Sequence, residues 1–342
     1  MRTDPRTSPA KARTASRPAR WGLVPSAAAT LSLGLLSLSA SAWAGEIEVS
    51  GTGWSAGKSE ATRPKARRLT LAQGAAVGTW TLALPRAPKG ARWDRFLPSL
   101  NADAWPEGAS VALRVRFRVQ PPGAKSRLWT SWLPLGVYGQ SETLPRSESA
   151  PPSQGVALET DFVSSRYPLL GGEVRLVLRR GSGGAPSVRR LVLDQWRRED
   201  AAPLPPRSAH PAWGRATRPP ERAQGWLGPP LASRTCSPTS LGMVLALHGR
   251  PCTTLEVARG VYDKAGDLYG NWGFNVAYAG SHGLRAVARH LTGWRAVEDE
   301  IAAGRPVVIS HRYAKGQLEG GAVSATVGHL IVLVFFTNTG DT

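Results

Sequence analysis

Cysteine is scarce in this 342-residue chain: there are two, Cys236 and Cys252, beside six histidines and two methionines. Two cysteines exclude a disulfide-stapled scaffold. No Cys/His run has zinc-ligand spacing, and neither a helix-turn-helix signal nor an aromatic RNA-binding motif is present, so no metal site and no specific nucleic-acid partner are expected. After residue 44, no apolar run reaches the roughly 20 residues that a membrane span needs. The run Leu330 to Phe336 suits a buried strand instead. Acidic side chains are few as well, 24 against 43 Lys and Arg, and the formal net charge is +19.

What is present argues for an ordered, loop-rich protein. Glycine (37) and proline (28) are abundant, yet 42% hydrophobic residues and 13 Trp exclude a disordered chain. Residues 1–44 read as an export leader. Arg2, Arg6, Lys11, Arg13, Arg17 and Arg20 precede an uncharged stretch, Trp21 to Ala40, and Ala42-Trp43-Ala44 spaces small residues as a signal peptidase requires. Cleavage before Gly45 is expected. An uncleaved anchor is the alternative, for which the stretch is rich in Ser and Gly. The leader carries +5 of the net charge and the remainder +14. A secreted or envelope location follows, with no transmembrane segment after cleavage. An exported basic chain also meets anionic surfaces such as envelope polymers; a solvated basic surface is the plainer reading.

Residues 45–200 are expected to form an all-β, sandwich-like module. Val111 to Val119 alternates apolar and mostly basic residues, the period of a strand with one buried face. Val174, Leu176 and Leu178 repeat that pattern opposite Arg175 and Arg179, and Val188 to Trp196 is a further strand. Seven tryptophans lie in this module. Trp129 and Trp132 read either as core residues or as a stacking platform for sugar rings. Residues 201–220 carry six prolines and read as a stiff linker. Residues 221–342 alternate helix-like and strand-like patterns, an α+β domain.

Cys236 stands at the start of a helix expected over Ser237 to His248. Pro238 suits a first helical turn, and Leu241, Val244 and Leu245 recur at helical spacing. Such a helix is roughly 18 Å long, and a disulfide needs Cα atoms within about 7 Å. Cys236 is therefore expected as a free thiol and Cys252 as a small buried filler. The positive end of a helix dipole favours a thiolate, and the exposed N–H groups there suit an oxyanion. A buried structural cysteine is the competing reading at this point. A general base has to come from elsewhere. His329 opens the apolar run Leu330 to Val334, and His311 follows the run Val307 to Ile309; both stay open on spacing alone, with His282 and His290 flanking an expected helix.

Four blocks then carry a resemblance. They are Glu221-Arg222-Ala223-Gln224; Cys236-Ser237-Pro238-Thr239-Ser240 with Met243-Val244-Leu245; Asn271 to Ala279 with Gly283-Leu284; and Ala303 to Ser310 followed by Gly328-His329-Leu330-Ile331-Val332. In this order they resemble the cysteine peptidase family 39-like proteins, relatives of the double-glycine (bacteriocin-processing) peptidases with papain-like cores. The resemblance implies Cys236 as nucleophile, His329 as general base and Gln224 as an oxyanion donor beside the Cys236 N–H. It gives Asn275 and Tyr278 as groove candidates, packing being the alternative role for both. The third member of the family's triad is usually an Asp or Asn on the strand after the histidine strand; the usual partner is expected to be absent here, the domain reading as truncated at its C-terminus and its activity as reduced, with Asp341 as a possible third member, and Phe335 stands where relatives tend to have Gly.

Peptide-bond hydrolysis through a thioester, with a peptide or protein substrate and no metal or organic cofactor, is the expected activity. Two other readings compete with it. One is a catalytically impaired, polymer-binding protein; the other is a wall-peptide amidase or transglutaminase-like transferase.

Overall fold

The computed structural model describes residues 45–87, 90, 92–198, 208–318 and 323–340. The leader, the first part of the proline-rich stretch and Asp341 lie outside the described residues. Fourteen strands come first among the described residues: β1 (Ile47–Ser50), β2 (Lys58–Glu60), β3 (Thr62–Lys65), β4 (Arg68–Leu71), β5 (Val77–Leu84), β6 (Arg95–Ala102), β7 (Ser110–Val119), β8 (Leu128–Trp129), β9 (Leu133–Ser141), β10 (Leu144–Arg146), β11 (Val156–Leu158), β12 (Val163–Ser165), β13 (Gly172–Arg179) and β14 (Ser187–Trp196). They pair antiparallel into two sheets. One runs β11-β12-β6-β14-β4-β3 with β1 added on β14; the other runs β10-β9-β7-β13-β5-β2 with β8 added on β7.

The period-two patterns read from the sequence are β7 and β13, and the less regular strand read after them is β14. In β13, Val174, Leu176 and Leu178 turn inward, and their core partners are Val115 and Leu113 of β7 and Trp80 of β5. Trp54, Trp80, Phe96 and Phe117 are wholly buried between the sheets. Trp54 and Trp80 meet edge to face at 5.1 Å, and the Trp80 indole N–H donates to the Trp54 carbonyl at 2.8 Å, so the ring is buried without losing its polar partner.

β6 departs from that alternation: it is buried on both faces from Phe96 to Ala102. Its outward side chains Ser99 and Asn101 lie beneath the C-terminal half of the chain. That half contains α1 (Cys236–Leu247), α2 (Thr254–Val261), α3 (Trp272–Ser281), α4 (Trp294–Ala302) and an antiparallel pair, β15 (Val307–Tyr313) and β16 (Thr326–Leu333). A reciprocal Thr253–Glu256 capping box starts α2, and the Asn271 side chain accepts from Phe274 N–H at the start of α3. α3 lies directly on β6. A Cβ on Gly280 would stand 2.9 Å from the Asn101 Cα, so only glycine permits that approach. Phe274 and Ala277 of α3 enter the core of the sandwich, where Phe274 meets Tyr138 edge to face at 5.2 Å. Among the described residues, no helix is long and apolar enough to cross a membrane.

Two segments differ from the sequence reading. The helix expected between His282 and His290 does not form; the chain has no regular helix or strand from Leu284 to His290. Asn101 accepts from Ala286 N–H at 3.0 Å and donates to its carbonyl at 2.9 Å, and Ser99 accepts from Ala288 N–H at 2.8 Å. The sheet thus supplies the backbone partners that a helix would have supplied. The stretch 201–220, expected as a linker, is packed from His210 to Thr217. Ala212 is fully buried beside Ile301, Leu333 and Phe336, Trp213 bridges to Phe336, and Thr217 N–H donates to Val334 O at 2.7 Å. Small and aromatic side chains anchor it where aliphatic ones are few.

Candidate active site

Cys236 is the first residue of α1, as its sequence context predicts. The Thr235 hydroxyl does not cap the helix; it turns back to donate to Leu231 O at 2.9 Å. Pro238 contributes no N–H of its own. The amides at the mouth of α1 thus lack the usual side-chain acceptor, the condition an anion site at a helix start requires. From Ser237 to Gly242, α1 is buried on every side. Both cysteines are free thiols, and Cys236 is half-buried.

Two hydrogen bonds and one close approach hold α1. Asn275 Nδ2 of α3 donates to the Ser237 hydroxyl at 2.6 Å, directly beside the Cys236 position. One turn on, Ser240 Oγ donates to Leu330 O of β16 at 3.0 Å. The Arg222 guanidinium lies against Gly242, where a Cβ would stand 2.4 Å from its Nη1. The Ser240 bond matters most for the site. Ser240 is four residues past Cys236, about 6 Å along the helix axis, and Leu330 is the neighbour of His329. One hydrogen bond therefore sets the histidine strand against the cysteine helix one turn past Cys236.

His329 and His311 are direct partners across the β15–β16 pair, so both imidazoles project from one face of the ribbon. Their rings meet edge to face at 5.6 Å, and His311 stacks on Tyr313 at 5.3 Å. Partial burial holds His329 below the usual imidazole range, and the neighbouring His311 adds to the shift. Burial lowers His311 too. A neutral ring near pH 7 can accept a proton, as a general base must. The His311 Nδ1 is buried with no partner among the described residues.

Gln224 lies in a short 3-10 turn, Gln224–Leu227. Its side-chain amide donates one hydrogen to Ala232 O at 2.7 Å, which ties it to the loop leading into Cys236. An amide NH2 has two hydrogens, so the second stays available. Of the two groove candidates, Asn275 reaches the cysteine helix through Ser237. Tyr278 instead packs with Leu241, Leu245, Val257 and Val261. Burial, and then the Cys252 sulfur beside its hydroxyl, push its titration up. Cys252 is half-buried and fills that same cluster.

The sequence reading did not anticipate Ser237 and Ser240 as anchors, nor His311 as the companion ring. Helical spacing could have found Ser240, one turn from Cys236. No local signal pairs Ser237 with Asn275, 38 residues away.

No curated protein matches the chain. Residues 219–342 match the model of the Peptidase_C39 like family, and this C-terminal part of the chain is a Peptidase_C39-like domain.

Proposed function

We propose that this domain is a thiol peptidase in which Cys236 is the nucleophile and His329 the general base. The observation that carries the reading is the Ser240–Leu330 bond, which ties the His329 strand to the Cys236 helix one turn past the cysteine. The neutral His329 takes the thiol proton as sulfur attacks the peptide carbonyl. The oxyanion is met by the uncapped amides at the start of α1 and by the second hydrogen of Gln224. The C–N bond then breaks as His329 returns the proton to the departing amine. Water, deprotonated by the same ring, attacks the thioester and releases the acid with the thiol restored. Asn275 acts as a positioning residue through Ser237. Asp341 is proposed as the group that orients the imidazole. The basic leader supports export, and with it a secreted or envelope site of action.

Hydrolysis of a fluorogenic peptide library by the full chain tests the proposal. Cys236→Ala reduces turnover to background and Cys252→Ala leaves it. Gln224→Ala lowers kcat about 10²–10³-fold, the usual cost of one oxyanion donor. Turnover that survives Cys236→Ala contradicts the assignment. Uptake of a labelled amine in place of hydrolysis identifies a transferase instead.

A further inference from the structure

The peptidase-like half covers the outer face of the sheet containing β6 and β14, and the outer face of the second sheet is built differently. Along β7 the outward residues are Arg114, Arg116 and Arg118, alternating with the buried Val115 and Phe117. Arg175 of β13 stands directly opposite Arg114. Trp129 pairs with Arg118, and Trp132 follows between β8 and β9. These residues interleave. The Arg118 guanidinium lies 4.5 Å from the centre of the Trp129 ring, and Arg116 lies 4.5 Å from Trp129 and 4.7 Å from Trp132. Arg175 lies 4.3 Å from Trp132, and its Nε donates to the Thr81 hydroxyl at 3.1 Å. The result is a ladder of alternating arginine and tryptophan across the solvent side of the sheet.

Ordinary surface arginines are mobile and lose side-chain entropy when they bind. Here the indoles hold the guanidiniums in advance, and each such contact is favourable in itself. One carboxylate already uses the ladder: Glu173 accepts from Arg116 Nε at 2.8 Å and from its Nη2 at 2.7 Å. That pair is an internal template for how a carboxylate sits on these groups. Arg114 and Arg118 are exposed and have no carboxylate partner among the described residues. Successive outward positions on a strand are about 6.8 Å apart, so charge is presented in a row suited to an extended polymer. The indole faces are occupied by guanidiniums, which leaves little for a nucleobase to stack on. The exposed chemistry is guanidinium edge, which recognises oxyanions.

We propose that this face binds a linear acidic polysaccharide bearing carboxylates, so that the sandwich anchors the chain on such a polymer. The site is independent of the chemistry proposed for Cys236. Titration of the full chain with polygalacturonate tests it, with neutral dextran and oligothymidylate as comparison ligands and Arg114→Glu/Arg118→Glu as the variant. The expected result is saturable polygalacturonate binding that weakens as salt rises and falls about tenfold or more in the variant, with no binding of dextran. Arg114→Glu alone, whose side chain stacks on neither indole, gives a smaller loss and serves if the double variant melts early. Unchanged binding in both variants overturns the proposal. So does equal binding of dextran, or tighter binding of oligothymidylate, which would assign the face to nucleic acid.

Discussion

The sandwich and the C39-like domain bury their apolar residues in different ways. The sandwich closes two sheets over one large cluster, with Trp54, Trp80, Phe96 and Phe117 wholly inside. The C39-like domain has two smaller clusters, one around Leu245 and Val261 and one around Ile301 and Phe336. Its strand pair is half-exposed along most of its length, with Val327 99% accessible. It compensates by leaning on its neighbour: Phe274 and Ala277 leave the helix α3 to join the sandwich core. A helix that presents a functional side chain needs a rigid seat. Here α3, which holds α1 through Asn275, is seated on a core that belongs to another part of the chain.

The comparison is broken most directly at Phe274. Phe274→Ala is expected to cost about 3–5 kcal/mol of unfolding free energy, the range for a buried aromatic, whereas Val327→Thr stays within about 0.5 kcal/mol as an exposed site. Denaturant unfolding of both variants measures the contrast. Equal effects would mean that the C39-like domain does not borrow its core.

A smaller effect is expected from two carboxylates in the join. Asp161 accepts from Trp272 N–H at 3.0 Å, and Asp194 from His290 N–H at 2.6 Å. Burial pushes each of them up to about 6 from 3.8. Between those values the folded protein keeps a proton that the unfolded chain has released. Their contribution to stability therefore falls as pH rises through that window. The unfolding free energy of the wild type should drop between pH 4 and pH 7 relative to Asp161→Asn, by on the order of 2 kcal/mol. A constant difference between the two proteins would show that Asp161 titrates alike in both states.

The smallest effect is on the ribbon. Burial and, after it, the neighbouring His311 hold His329 down, so His311→Ala should move the acidic limb of the pH–rate profile upward. A limb that stays in place would mean that the two rings do not share their field.

Much of this arrangement is legible in the sequence, and the division is physical. Strands β7 and β13 show through period two, and α1 through its proline and apolar spacing, because both signals are local. The four ordered blocks of the C39-like segment point to Cys236, His329 and Gln224. What is missed is non-local. Nothing near residue 286 announces that Asn101, 185 residues earlier, will take its backbone bonds and replace a helix with an irregular run. Nothing in the pattern of β6 shows that its polar face is covered. The packing of His210 to Thr217 is hidden by prolines, which signal stiffness and not location. The companion of His329 was visible only as one of several histidines, since a cross-strand register is set by pairing that spacing does not reveal.

The central claim is that Cys236 differs from Cys252 because of the helix it opens and the histidine strand beside it. Alkylation by iodoacetamide at neutral pH, followed at each cysteine by peptide mass mapping in the wild type and in His329→Ala, tests this directly. The account predicts that Cys236 reacts roughly tenfold or more faster than Cys252, and that His329→Ala removes most of that advantage. Equal rates at the two cysteines in the wild type, unchanged by His329→Ala, would contradict it.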